Sequence, residues 1–284
     1  MAVVMSGKKV ADKLIEDIEK ELTFLSDKHI IPKLAIVRLG EDSGSIAYEK
    51  SAKKRLEELG IEVEVFSYAS DLTEDEFLAE FKKINQTETI HGILLLRPLP
   101  EHIHTRKITE AINPLKDVDG MSSVNLGKIM IGDIKEGLLP GTPAAVMELL
   151  DFYEIELEGK DIVIIGHSEV VGKPLDILLL NRNATVTVCH IYSKEVKEKC
   201  SQADIVISAT GKAGLVTKDF LKEGAIVIDV GISYIDGQIH GDVNYEEALE
   251  KTSYITPVPG GVGAVTTTML AKNVLKATKL LMTE

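Results

Sequence analysis

Gly166, Ser168 and Gly172, spaced Gly-x-Ser-x-x-x-Gly, follow directly on the apolar run Ile162-Val163-Ile164-Ile165. A second apolar run, Thr185–Cys189, comes some twenty residues later. A strand, a glycine turn and a helix form a cradle for a pyrophosphate. Its backbone N–H groups and the positive end of the helix dipole face the anion. The spacing is not the common Gly-x-Gly-x-x-Gly, so by itself it fits an ordinary strand-to-helix turn equally well.

The remaining composition narrows the chemistry. The 284 residues carry 32 Lys and Arg against 45 Asp and Glu, a formal charge of −13. Such a surface repels nucleic acid and anionic membrane, so neither is expected as a partner. It leaves room for a small anionic ligand in a local basic pocket. There are two cysteines, Cys189 and Cys200, with no Cys-x-x-Cys pair and no Cys/His cluster. Neither a metal site nor a disulfide framework is expected. No secretory signal is read at the N-terminus, and no run approaches the ~20 apolar residues of a membrane span. The expected compartment is a reducing cytoplasm.

The elements that must position the cradle follow from periodicity. Val10, Leu14, Ile15, Ile18, Leu22 and Leu25 fall on one face of a first helix. Lys33–Leu39 reads as a strand, 44–59 as a helix stopped by Gly60, and 61–68 as an alternating strand. Thr73 with Glu76 makes a capping box for a helix to about Asn85. Gly92–Leu96 is a further strand closed by Pro98 and Pro100. Residues 113–140 are rich in Gly, Asp, Ser and Asn, with little periodicity. Thr142-Pro143 then reads as an N-cap and first helical residue. Ile162–Ile165, Thr185–Cys189, Ile205–Ala209 and Ala225–Val230 follow as four buried strands. A glycine-rich loop, Pro257–Gly263, leads into a last helix of about 267–282. Alternating strands and helices predict an α/β protein with parallel sheets. The domain boundary is placed near residue 145, and the last helix is free to pack on either domain.

Five stretches then match one family in order and spacing. They are Ser45-x-x-Tyr48, Pro98-Leu99-Pro100, Lys116-Asp117-Val118-Asp119-Gly120, Gly166-x-Ser168-x-x-Val171-Gly172-x-Pro174, and Pro257-Val258-Pro259-Gly260-Gly261-Val262-Gly263. The chain resembles the methylenetetrahydrofolate dehydrogenase/cyclohydrolase family, FolD type. The resemblance implies an N-terminal three-layer α/β domain (1–145, with 267–284 packing back on it) and a C-terminal Rossmann-like domain (146–266), with a cleft between them. It implies oxidation of 5,10-methylenetetrahydrofolate with NAD or NADP, a folate substrate and a homodimer. It places Tyr48 and Asp119 in catalysis, and Ser45, Tyr48, Pro98, Pro100, Asp119 and Gly261 around the substrate. Gly166, His167, Ser168, Val170, Ile191, Ile232, Gly263 and Thr266 fall on its cofactor positions. Asp119 suits the pterin because a carboxylate accepts two N–H donors in a fork.

The chain departs from that family at telling places. The family has a lysine four residues after its tyrosine, on the same helix face; here the residue is Ala52. Lys53 is rotated about 100° away, and Lys50, Lys53 and Lys54 read as a solvated face. The family's glutamine, partner of that lysine, falls on Leu96 within Leu95-Leu96-Arg97-Pro98. In the family the lysine steers proton transfer as water attacks the methenyl carbon, help worth about 10²–10⁴-fold. Ala and Leu supply none of it. Arg97 is the one cation nearby that could substitute in part. On the cofactor side, the family's Gly-Arg-Ser is Gly166-His167-Ser168, and its His-Ser-Arg/Lys is His190-Ile191-Tyr192. These positions commonly touch the 2′-phosphate of NADP, which wants guanidinium and hydroxyl donors. NAD is therefore expected at least as readily as NADP, with Lys194 as a possible phosphate ligand. The expectation is a methylenetetrahydrofolate dehydrogenase with little cyclohydrolase activity. Its alternatives are the full bifunctional enzyme and a non-catalytic folate- or nucleotide-binding paralogue.

Overall fold

Lys33–Leu39 is apolar at almost every position because both of its faces are covered. Leu34 and Ile36 enter one apolar cluster while Ala35, Val37 and Leu39 enter another, the period-2 alternation of a strand. The computed structural model describes residues 2–283. In chain order it contains β1 (Val3–Val4), α1 (Gly7–Asp27), β2 (Lys33–Leu39), α2 (Ser43–Leu59), β3 (Glu62–Tyr68), α3 (Glu74–Gln86) and β4 (Gly92–Leu95). Next come α4 (Thr105–Glu110), α5 (Ser123–Met130), α6 (Gly141–Phe152), β5 (Asp161–Ile165), α7 (Gly172–Leu180), β6 (Thr185–Cys189), α8 (Val196–Cys200), β7 (Ile205–Ser208) and β8 (Ala225–Asp229). The chain closes with β9 (Ser233–Ile235), β10 (Gln238–His240), α9 (Tyr245–Leu249), β11 (Thr252–Ile255) and α10 (Gly263–Leu281).

The chain divides into two compact units. One holds the residues up to Leu14 together with Gly141–Thr268; the other holds Ile15–Pro140 and the segment from Met269 onward. In the second, β3-β2-β4 form a parallel sheet, with Lys33 opposite Glu62 and Leu34 opposite Gly92. One face of that sheet packs on Ile18 and Leu25 of α1, Ala52 and Leu56 of α2, and Leu270, Val274 and Leu275 of α10. The other packs on Phe77, Phe81 and Ile84 of α3 and on Ile108 of α4. The result is three layers.

In the first unit a six-stranded parallel sheet runs β1-β11-β8-β7-β5-β6. Val163, Ile165, Val206, Val227 and Ile255 point into one cluster with Cys200, Ala203 and Leu221. α7 packs on β5 and β6, with Leu175, Leu178 and Leu179 buried. β9 and β10 form a separate antiparallel hairpin.

Several sequence-based expectations are corrected. Residues 113–140 contain α5, capped by the Ser122 side chain accepting from the Asn125 N–H. α4 was not foreseen. α6 starts at Gly141, so Thr142 lies inside its first turn rather than at the cap. α10 starts at Gly263, about one turn earlier than read. β6 is an edge strand with Thr185 and Thr187 exposed, not a buried one. β1, β11 and the β9–β10 hairpin were missed because two- to four-residue runs carry no period to detect.

Candidate active site

In the second unit the site is built where β2 and β4 end. Asp42 caps α2, its carboxylate accepting from the Ser45 N–H at 2.8 Å. The Ser45 hydroxyl lies 2.9 Å from Asp42 Oδ2 and 3.1 Å from the Arg97 carbonyl oxygen, joining the start of α2 to the exit of β4. A buried ion pair reinforces the junction. Arg38 Nε donates to Glu49 at 2.8 Å, with both side chains about nine-tenths covered, and Arg38 Nη1 donates to the Gly40 carbonyl. Tyr48 precedes Glu49 on the same helix, so these contacts set its place.

Asp119 is carried on the segment that follows the Ile93–Asp117 bridge. That segment is fixed from several sides. Asp117 accepts from the Ser122 N–H at 2.8 Å and the Asn125 amide at 3.0 Å, and the Val118 carbonyl accepts from the Asn273 amide at 2.8 Å. Arg97 Nη2 stands 3.7 Å from Asp119 Oδ2. Asp119 keeps 36% of its side chain open, yet its carboxyl is raised to about 6. Burial among protein atoms is the main cause; Arg97 opposes the rise and Asp117 adds to it. Tyr48 behaves alike. It is 41% exposed, while its phenol is pushed up to about 12, by burial first and by the Asp119 charge second. Both groups are recessed rather than covered: reachable by a ligand, poorly hydrated, and therefore strong partners for one.

Ala52 and Leu96 lie in the apolar cluster, 1% and 7% exposed. No polar group enters from either position. Lys53 pairs with Glu57 at 3.7 Å and Lys54 with Glu58 at 4.0 Å on the outer face of α2, as a solvated charged face should. Pro98 is exposed and Pro100 half-buried, with a cis Arg97–Pro98 bond.

In the first unit the glycine turn is a cradle that side chains would fill. Gly166 has φ +123°, and a Cβ there would lie 2.4 Å from the Ala209 carbonyl oxygen; a Cβ on Gly172 would lie 2.0 Å from the Gly166 carbonyl oxygen. The Ser168 hydroxyl accepts from the Val171 N–H at 3.1 Å. α7 then begins at Gly172, as a phosphate-binding helix must. His167 and Val170 are exposed beside the turn. The His167 ring lies against that of His190, centroids 4.8 Å apart and planes tilted by 48°. His190 Nδ1 accepts from the Tyr192 N–H at 3.2 Å, and the His190 N–H donates to the Ser193 hydroxyl at 2.9 Å. Ile191 is 87% exposed, so that position presents no donor, only an aliphatic surface.

A recess of ≈ 330 Å³ in the same unit gathers Ile232, Gly261 and Gly263 with Asp229, Ile239 and Pro259. Thr266 stands one turn into α10, its hydroxyl donating to the Gly263 carbonyl at 3.1 Å. Sequence reading missed the buried pair that shapes this recess. Asp229 accepts from the N–H groups of Gly231, Asp242 and Val243. Asp242 accepts from the Ser208 and Thr210 hydroxyls and the Thr210 N–H. Burial, with Asp242 contributing, raises Asp229 to about 6. The available signal was an Asp ending a buried strand two residues before Gly231, and a second Asp directly after Gly241. Arg97, seen only as a nearby cation, is the other residue whose contact was not legible. Among the described residues no group of three or more His, Cys, Asp or Glu could hold a metal ion, and no helix is long and apolar enough to cross a membrane.

Comparisons with known proteins divide the chain in sequence near residue 140, close to the boundary at Gly141. Residues 5–119 match the family described as "Tetrahydrofolate dehydrogenase/cyclohydrolase, catalytic domain", and 140–282 match its NAD(P)-binding domain. The bifunctional protein FolD of Alkaliphilus metalliredigens is 49% identical over 280 residues, 98% of each chain. The crystal structure of the bifunctional FolD enzyme of Campylobacter jejuni superposes with a TM-score of 0.96 at 44% identity, covering 98% of this chain and 99% of that one. The Trypanosoma brucei FolD, solved with NADP and an inhibitor, gives 0.90 at 34% identity, covering 98% and 97%.

Proposed function

The chain belongs to the tetrahydrofolate dehydrogenase/cyclohydrolase family, and from that premise we propose that it oxidises 5,10-methylenetetrahydrofolate to the 5,10-methenyl form in one-carbon metabolism, with little hydrolysis of the product. The observation that carries this reading is the pairing of an intact recognition group with an absent hydrolytic one. Asp119 is recessed and able to accept the pterin's N–H donors, while Ala52 and Leu96 are sealed in apolar packing.

Hydride transfer asks little proton chemistry of the protein. The methylene carbon lies between two nitrogens; as its hydride leaves with the electron pair, a nitrogen lone pair stabilises the cation formed. The nicotinamide, when bound, supplies the hydride acceptor. The protein's contribution is to hold and orient. Asp119 takes the N–H edge of the pterin, Tyr48 lies along the ring, and Ser45, Pro98 and Pro100 frame that end of the site. Gly166, His167, Ser168, Val170, Ile191, Ile232, Gly263 and Thr266 are the residues that would hold the dinucleotide. The collisions that a Cβ would make at Gly166 and Gly172 support that fit. The proposed working domains are 1–145 with 267–284, and 146–266, with the residues up to Leu14 joining the second of these in the fold.

The enzyme acts as a homodimer in the cytoplasm. Exposed Tyr234 and Ile235 on the β9–β10 hairpin support association, and free, buried Cys189 and Cys200 suit a reducing compartment. Mixing purified protein with methylenetetrahydrofolate and NAD or NADP, and following methenyl absorbance and its decay, tests the whole reading. A rise that persists is expected; no rise overturns the dehydrogenase assignment, and a rise with rapid enzyme-dependent decay overturns the loss of hydrolysis.

A further inference from the structure

Arg97 and Asp119 face each other without spending their hydrogen-bonding capacity. Their 3.7 Å separation is that of an ion pair, beyond the 2.7–3.2 Å of an N–H···O bond. Arg97 Nε is buried with no hydrogen-bond partner. Buried donors in folded proteins are nearly always paired, so a guanidinium left in this state beside an open carboxylate marks a place where a ligand completes the bonding. The backbone of Arg97 is fixed by Ser45 on its carbonyl, and the following residue is a proline, so the side chain starts from a set point.

The ligand's own chemistry then decides what the pair can hold. The pyrimidinone ring of a reduced folate presents two N–H donors along one edge and a carbonyl oxygen immediately beside them. A carboxylate meets the donors and leaves the carbonyl in need of a donor. A guanidinium supplies donors in a planar fork. We propose that Arg97 is a substrate-binding residue that donates to the ring carbonyl of the folate while Asp119 accepts from the adjoining N–H groups. The inference rests on the folate reading given above and adds to it a further substrate-binding residue. A guanidinium in a protein neither takes nor gives a proton. Arg97 therefore binds the substrate without providing the proton transfer that hydrolysis requires.

The test titrates tetrahydrofolate into the full-length protein by calorimetry, with NAD titrated in parallel. Thermal unfolding shows whether each variant is folded. Arg97→Leu is expected to weaken tetrahydrofolate binding at least tenfold and to leave NAD affinity within twofold. Arg97→Lys, which keeps a donor cation, should stay within threefold of the wild type. Should Arg97→Leu not fold, Arg97→Gln serves in its place, with weakening between the two. A second readout is the pH profile. The groups around Asp119 are Tyr48 from α2, Arg97 from the exit of β4, and Asp117 from its own segment. Arg97 favours the ionised carboxylate, so the acid limb of tetrahydrofolate binding, with a midpoint near 6 in the wild type, should move to higher pH in Arg97→Leu. The shift reports the charge beside Asp119, and the loss of affinity at pH well above the midpoint reports the bond to the ring carbonyl. Binding within twofold of the wild type, or an unmoved midpoint, overturns the role of Arg97 while leaving the folate reading intact. Absence of any tetrahydrofolate binding by the wild type overturns both.

Discussion

At the scale of single residues, the chain replaces a polar pair by an apolar one, and the consequence is measurable. With Ala52 and Leu96 in the core, water attacking a methenyl carbon has no positioned proton-transfer partner. Methenyltetrahydrofolate should decay in the presence of the protein little faster than in buffer. Ala52→Lys combined with Leu96→Gln should raise that rate, because both groups return to one place. Either change alone should do less, since an unpaired polar group in a dry site costs about 1–3 kcal/mol. Efficient hydrolysis by the unmodified protein would show that another residue performs the step. Nucleotide choice is decided as locally. The His167–His190 ring pair and an exposed Ile191 offer no guanidinium for a 2′-phosphate. NAD should serve at least as well as NADP near neutral pH, and His167→Arg should move the ratio of kcat/KM toward NADP. A tenfold NADP preference in the wild type, about 1.4 kcal/mol, would count against this and direct attention to Lys194.

At the scale of elements, α2 carries the substrate side of the site and is pinned by the Arg38–Glu49 pair. Removing one partner of a buried ion pair leaves an uncompensated charge, a cost of about 3–5 kcal/mol. Glu49→Ala should lower stability toward that range in denaturant titration and raise the KM for folate more than that for nucleotide. An unchanged denaturation midpoint would show that the pair does not hold the helix. The same elements show what a sequence discloses. β2 was legible to the residue because both its faces are apolar, and the Thr73–Glu76 box appears in full, with the Glu76 carboxylate returning to the Thr73 N–H at 3.0 Å. α5 was not legible, because its apolar residues include the exposed Val124 and Met130 and its stability comes from Asn125 and Ser122 binding the loop around them. β6 has the composition of a buried strand but ends its sheet, and edge position is a tertiary fact. Arg97 and Asp119 lie 22 residues apart; only the Ile93–Asp117 bridge brings their segments side by side.

At the scale of the whole molecule, opposed carboxylates shape the response to pH. Asp119 and Asp229 both rise from 3.8 to about 6. In the folded chain they hold their protons more tightly than in the unfolded one, so their ionisation opposes folding. That penalty is complete above about 6 and is relieved as pH falls toward 3.8. Glu74 runs the other way. Hydrogen bonds from Lys107 and His104 lower it from 4.5 to about 2; its contribution is present above 4.5 and lost as pH falls toward 2. Resistance to denaturant should therefore increase as pH falls through about 6 toward 5, and part of that gain should be lost between pH 4.5 and 2. Asp229→Asn should flatten the first limb only. A monotonic fall in stability from pH 7.5 to 5 would show that neither raised carboxyl governs folding.

The pairing of Val3 and Val4 with Tyr254 and Ile255, and of Ile18 and Leu34 with Leu270 and Val274 in one cluster, has a consequence for biosynthesis. The ribosome releases β1 and the β2–β4 sheet long before it has made β11 and α10. Until those last elements emerge, the six-stranded sheet lacks the strand that joins β1 to β8, and the three-stranded sheet lacks a helix from one of its covering layers. Both units are thus completed only after β11 and α10 have been made, and a ribosome that stalls before Gly263 leaves a nascent chain with apolar surface on β2 and β4 open to chaperones and proteases.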